Sequence, residues 1–202
     1  MKENLNQTSI EPLLEYFDRL LPLDEEEKKL VIERFHPRLY RKRQYVLQEG
    51  DICSHLSFVV RGCLRMYQVD EKGVEHIIQF ASENYWINDL GSFHGQRPSL
   101  LNIDALEDTV VLQINRDDLV SLYLQAPKFN RIFRVLLENN FVRLQERLLQ
   151  NISSTAEDRY QSFLNIYPHL VNRVSQVHIA SFLGMTPEFL SRLRNKRTKS
   201  KS

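Results

Sequence analysis

The stretch SQVHIASFLGMTPEFLSRLRNKR, Ser175–Arg197, carries the signals of two short helices joined by a tight turn. Ser175 is placed to cap the first helix. Ile179 and Leu183 fall four apart on one face, with small Ala180 beside them. Gly184 ends that helix, as a residue free to adopt positive φ does. Thr186 then caps the second helix, and Pro187 takes its first position, where a missing N–H costs nothing. Leu190 and Leu193 face inward, leaving Glu188, Ser191, Arg192 and Asn195 outward. Two helices around a short Gly-containing turn form the helix-turn-helix pattern, whose second helix enters the major groove of DNA. The plainer alternative is an αα-hairpin inside a core. Charge favours the first reading. Residues 151–202 hold eight Lys/Arg against three Asp/Glu, net +5, whereas residues 1–150 hold nineteen against twenty-three, net −4. The whole-chain charge of +1 hides one polyanion-facing end.

The remaining composition bounds the class. At 202 residues the chain is one large domain or two small ones. Hydrophobic content of 42% beside 26% charged residues is that of an ordinary globular protein. No apolar run approaches the roughly 18 residues of a membrane span. The opening MKENLNQTSIEPLLEYF has no signal-peptide apolar region, so a cytoplasmic protein without membrane contact is expected. Cys53 and Cys63 are too few for a disulfide framework or a four-thiolate cluster, and are expected as small buried residues. The tail KRTKSKS is the one low-complexity segment, and there are no repeats.

Around this end the chain alternates in period. Residues 9–21 predict a helix with Leu13, Leu14, Phe17, Leu20 and Leu21 on one side. Leu23–Phe35 predicts a second, acidic in its first turn and stopped by Pro37. From Leu39 the period becomes two: Leu56, Phe58 and Val60, then Leu64 and Met66, Ile78 and Phe80, Ile103 and Ala105, and Val110, Leu112 and Ile114. Turns fall at Glu49-Gly50-Asp51, Gly62 and Asp70-Glu71-Lys72-Gly73. Short strands with turns every 8–12 residues predict a jelly roll over about 75 residues. Asn115 caps a short helix. Lys128–Gln150 is the longest helical pattern, reaching roughly 35 Å at 1.5 Å per residue. Its stripe of Phe133, Leu137, Phe141, Leu144 and Leu148 suits the same stripe of a second copy, the alternative being its own barrel. Ser154-Thr155-Ala156-Glu157 predicts a capping box opening a helix with Tyr160, Phe163 and Leu164 inward, closed by Pro168.

This order resembles the Crp/Fnr family of bacterial transcription regulators across nearly the whole chain. The carrying residues are Glu49-Gly50-Asp51, FVVRGCLRMY at 58–67, the hairpin Gly73, WINDLGSF at 86–93, and the helix-turn-helix with Glu188 and Arg192 in the family's base-reading positions. The resemblance implies an α+β chain. A cyclic-nucleotide-binding-like jelly-roll sensor would occupy 1–127, a dimerisation helix 128–150 and a DNA-binding domain 151–202. It implies a homodimer reading palindromic double-stranded DNA, with RNA polymerase as a further partner. DNA contacts would come from Thr186, Glu188, Ser191, Arg192, Asn195 and Lys196, and an effector pocket from Asn88, Asp89, Leu90, Gly91, Ser99 and Leu100.

Departures from the family pattern shape the expected signal. Cyclic-nucleotide-binding members carry Gly-Glu-Leu and, further on, an Arg that grips the cyclic phosphate. Here the run is Asn88-Asp89-Leu90, and Ser99 then Leu100 fall where the Arg belongs; Arg97 sits two residues early, before Pro98. Losing that Arg removes a charge-assisted contact, so the expected small-molecule effector is one other than cyclic AMP, or none. The iron–sulfur members need a cysteine cluster near the N-terminus, and no cysteine precedes Cys53. His76 and His94 are lone histidines, more often structural than haem ligands. No cofactor is therefore expected. Pro187 stands where the family often has an Arg, the family's wing after the recognition helix is absent, and Arg194–Ser202 reads as a poorly ordered phosphate-binding end.

Two other function classes compete. Jelly-roll enzymes converge several His and a carboxylate on a metal, but His36, His55, His76, His94, His169 and His178 form no HxH pair with a following Glu. No phosphate loop, nucleophile elbow or paired catalytic carboxylate stands out, so an enzyme is not expected. A ligand-binding module with a degenerate DNA-binding end would instead bind DNA weakly, without sequence preference.

Overall fold

A computed structural model describes the backbone of residues 10–199 and the side chains of residues 10–196. The helices are α1 (Glu11–Leu20), α2 (Glu25–Arg34), α3 (Leu90–Gly95), α4 (Arg116–Gln125), α5 (Lys128–Ser153), α6 (Ala156–Ile166), α7 (Gln176–Phe182) and α8 (Pro187–Lys199). The strands are β1 (His36–Tyr40), β2 (Tyr45–Leu47), β3 (His55–Arg61), β4 (Leu64–Val69), β5 (Glu75–Ala81), β6 (Trp86–Ile87), β7 (Asn102–Ala105) and β8 (Thr109–Asn115). The chain divides into two compact units. One takes in the chain up to Val69 with Ile78–Leu137; the other takes in Asp70–Ile77 with the chain from Glu138 onward.

The first unit is the expected jelly-roll sandwich, with sheets ordered β1-β8-β3-β6 and β2-β7-β4-β5. Alternation along β3 sorts its faces. Leu56 and Phe58 pack toward α1, where Phe58 meets Tyr16 at 5.2 Å between ring centres, while Ser57 pairs with Gln113 and Ile87 on its neighbouring strands. Phe17, Phe35, Phe129 and Phe133 close an aromatic core around Trp86, which lies 5.3 Å from Phe58 and 5.6 Å from Phe133. Such rings bury large areas and add edge-to-face attraction. Pro37 does not end α2, as the sequence had suggested. The helix stops at Arg34 and Pro37 lies within β1, an edge strand where a missing N–H leaves no ladder bond unmade. At the other end of α2, Asp24 and Glu27 form a capping box, each side chain accepting from the other's backbone N–H at 2.9 Å.

Gly62 is required for a physical reason. Its φ is +105°, and a Cβ there would come within 2.4 Å of the Thr109 hydroxyl. On β4 and β7, Arg65 grips Asp104 with both ends of its fork, at 2.8 and 2.9 Å, and both side chains are buried. The Tyr67 ring lies 4.2 Å from the Arg65 guanidinium.

Three further expectations change. Phe133 is 7% exposed and belongs to the aromatic core, with Ile132 and Leu136. The open stripe of α5 starts only at Leu137 and runs through Phe141, Leu144 and Leu148 to Leu149 and Ile152, at 45–75% exposure. Second, the cap opening α6 is Thr155 with Asp158, not Ser154 with Glu157, because α5 continues through Ser153. Third, α8 runs helically to Lys199, so Arg194–Lys199 are not a loose tail; Ser200–Ser202, like Ser9 at the start of the first predicted helix, lie outside the described residues.

In the second unit α7 and α8 pack against each other and α6. Leu190 and Ile179 are fully buried, while Leu193 is only half-buried. The hairpin tip Asp70–Ile77 is part of this unit. Ser181 on α7 donates to the Glu75 carbonyl at 2.7 Å and accepts from the Ile77 N–H at 3.0 Å. Arg147 donates to the Ile77 and Phe182 carbonyls at 3.3 Å and lies 4.1 Å from the Phe182 ring.

Candidate nucleic-acid interface and effector cleft

Helix α7 is capped by Ser175, which accepts from the His178 N–H, and the turn reverses at Gly184, φ +64°. Thr186 opens α8 by accepting from the Phe189 N–H at 3.2 Å. The Glu188 carboxylate is held below the usual carboxylate range by its own backbone N–H and the Thr186 hydroxyl, with Arg192 one turn on adding attraction. Glu188, Ser191, Arg192 and Asn195 all stand exposed, as the spacing predicts. An anionic acceptor and a cationic fork therefore sit side by side on one helical face, the donor and acceptor types that read cytosine N4 and guanine O6/N7. Lys196 is exposed but pairs with Glu157 on α6 at 3.0 Å. Exposed pairs of this kind hold weakly and open readily to a phosphate. Sequence reasoning passed over Phe189, 37% exposed with Arg192 lying 5.6 Å from its ring. Its signal was an aromatic off the inward Leu190 and Leu193 positions, and an apolar side chain there suits a thymine methyl.

The cassette expected to hold an effector is closed on itself. Asp89 caps α3, accepting from the Ser92 N–H at 3.1 Å with one oxygen, and accepts from the Ser99 hydroxyl at 2.8 Å with the other. Ser99 is buried and its hydroxyl also accepts from the Leu101 N–H. Leu90 and Leu100 are exposed, Leu100 at 67%. Gly91 has Asp89 at 3.3 Å from where a Cβ would stand. Of the six expected residues, Asn88 alone lines a cleft found elsewhere in this unit.

That cleft holds about 120 Å³ between the sheets. Its polar lining includes Arg38 and Tyr40 from β1, Tyr45 from β2, His55 and Ser57 from β3, Gln113 from β8, and Ser54 and Asn88. Leu47, Ile87 and Ile103 supply apolar wall. Tyr40 donates to Gln113 at 3.4 Å and Gln113 donates to Ser57 at 2.8 Å, a buried chain forming the polar floor. Burial pushes the Tyr40 phenol up and, helped by Arg38 and His36, the His55 imidazole down. The sequence gives no warning of this cleft, because its residues come from strands far apart in the chain.

Among the described residues no group of three or more His, Cys, Asp or Glu is placed to hold a metal, and no helix is long and apolar enough to cross a membrane.

Comparison with known proteins follows the same lines. Residues 37–126, most of the sandwich, match the cyclic nucleotide-binding domain family. The chain is 28% identical over 174 residues to the anaerobic regulatory protein of Pasteurella multocida, covering 81% of this chain and 62% of that protein. It is 29% identical over 185 residues to the fumarate and nitrate reduction regulatory protein of Vibrio cholerae, covering 84% and 71%. The structure of FixK2 from Bradyrhizobium japonicum superposes with a TM-score of 0.73 at 20% identity, over 83% of this chain and 86% of that one. The chain is thus similar to regulators of the Crp/Fnr type, and its residues 37–126 match the cyclic nucleotide-binding domain family. The likeness in fold extends over the order of sandwich, long helix and helix-turn-helix. The chain spans about 62% of the length of the Pasteurella relative.

Proposed function

We propose that this chain is a DNA-binding transcription regulator of the Crp/Fnr type that works as a homodimer on a palindromic operator, and that it is not an enzyme. The observation carrying this reading is the capped helix α8, which presents Glu188, Ser191, Arg192 and Asn195 outward while Ile179, Ala180 and Phe182 of α7 are buried. Phe189 adds an apolar contact and Thr186 and Lys196 contact phosphates. The open stripe of α5, Leu137 to Leu148 with Leu149 and Ile152, is the dimer seam. A two-fold axis along it would set two α8 helices roughly 34 Å apart, one turn of DNA. The closed cassette supports control by an effector other than cyclic AMP. RNA polymerase is the natural further partner of such a regulator, and a soluble cytoplasmic location suits its work.

The test is selection from random duplex DNA by the purified protein at about 150 mM salt, where phosphate contacts alone bind weakly. A two-fold palindrome is the expected product. Retention of all sequences alike, erased by added salt, would favour the rival reading of a ligand-binding module with a degenerate DNA-binding end.

A further inference from the structure

We propose that the cleft between the sheets is an anion site, separate from the cassette, which binds a small organic carboxylate through Arg38, His55 and Asn88. The proposal builds on the sensor reading above and names the chemistry sensed.

Four observations converge on it. Arg38 lines the cleft yet makes no hydrogen bond or ion pair among the described residues; its one recorded contact is the Tyr40 ring, 5.2 Å away. No carboxylate is among the residues lining the cleft, so nothing in its wall neutralises that charge. The His55 Nδ1 faces the Ser54 hydroxyl at 2.7 Å, which leaves Nε2 without a partner among the described residues. The Asn88 carboxamide likewise has none. The Arg38 fork is donor only, the Asn88 amide can add an N–H, and the His55 Nε2 can add another in the tautomer whose Nδ1 accepts from Ser54, so the opening can supply donors to an ionised oxygen pair that its own wall does not provide.

Size and wall chemistry narrow the ligand. At about 10–15 Å³ per water, a cleft of about 120 Å³ holds several waters or a small organic acid. It lies well below the roughly 300 Å³ at which drug-sized pockets begin, so a nucleotide would not be enclosed by it. Leu47, Ile87 and Ile103 offer apolar surface to a hydrocarbon body. Arg38 is the single permanent cation in the lining, matched to a monoanion rather than to a phosphate dianion. The floor does not compete, because Tyr40, Gln113 and Ser57 are bonded to one another.

The experiment measures binding on DNA-free protein, so that it succeeds or fails independently of the operator selection. Acetate, butyrate, benzoate and inorganic phosphate, each at about 10 mM and constant ionic strength, are added while the unfolding midpoint is followed, since a ligand of the native state raises it. Side-chain amide NMR signals of Asn88 and Gln113 are followed in the same titrations. Butyrate or benzoate is expected to raise the midpoint and shift the Asn88 signal. Arg38→Gln, an exposed position on an edge strand, is expected to weaken that binding at least tenfold, the scale of one charge-assisted contact. Ser99→Ala, in the cassette, is expected to leave it unchanged. Equal stabilisation of wild type and Arg38→Gln, no response to any carboxylate, or a response to phosphate alone would each overturn the assignment.

Discussion

The Ser99 hydroxyl donates to Asp89 at 2.8 Å, joining two of the residues expected to line an effector pocket. The pair satisfies itself. Asp89 uses its second oxygen on the α3 cap, so both of its oxygens already accept a bond within the chain. Asp89→Ala should therefore act on stability alone, costing about 1 kcal/mol as lost caps do. Urea unfolding reads that cost, and fluorescence anisotropy on the selected operator should find DNA affinity unchanged. Cyclic AMP should shift the unfolding midpoint of neither protein. A midpoint raised by cyclic AMP in wild type but not in the variant would mean that Asp89 opens to bind it.

Arg192 is exposed on the face of α8 proposed to read bases. Arg192→Ala should cost about 1–3 kcal/mol of specific binding and relax preference at one base position per half-site. Competition binding with single-base operator variants measures both. Uniform loss across all sequences would place Arg192 on phosphate instead.

Leu148 is 57% exposed on α5 and Phe133, on the same expected stripe, is 7% exposed. The two should fail differently. Leu148→Asp should leave the fold intact and yield monomer in sedimentation, with operator binding lost. Phe133→Ala should cost about 3–5 kcal/mol of stability as a core truncation. A Leu148→Asp chain that sediments as wild type would move the dimer seam elsewhere.

The architecture was legible because its signals are local. Caps at Ser175, Thr186 and Asn115 lie within three residues of the N–H groups they accept from, and period-two alternation marks the strands. Phe133 and Leu137 were not separable by the same means. They share a helical stripe, and only the fold puts one turn against Trp86 and the next in the open. The cap at Thr155 was misread by one residue because Ser154 and Thr155 are both good caps, and the length of α5 decides between them. The Asp89–Ser99 bond spans ten residues and the cleft joins β1 to β8; contacts at that range leave no pattern in sequence.

Arg65 and Asp104 form a bidentate pair with side chains about one-tenth exposed. Removing one partner of such a pair strands the other charge away from water. Asp104→Asn should lower stability by about 3 kcal/mol, whereas replacing both residues by apolar ones of similar volume should cost much less. Urea midpoints of the single and double variants make the comparison. A mild single variant would mean that water reaches Arg65.

His55 gives the sandwich an acid sensitivity of definite sign. Burial, then Arg38 and His36, holds its imidazole below the ordinary value. The unfolded chain takes up a proton near about pH 6.5, where the folded chain still resists it. Stability then falls as pH drops from about 7.5 through that value, and levels off below the folded pKa. Tyr40 and Cys53, both pushed up by burial, stay uncharged across this window. Asp70 and Asp108 are held low by their partners, Asp70 chiefly by His76 and Asp108 chiefly by the Lys42 N–H, and lose their contribution only at more acid pH. In urea titrations His55→Gln should remove part of the loss between about pH 7.5 and 5.5, leaving the steeper fall below it. An unchanged slope in the variant would assign the window to another group.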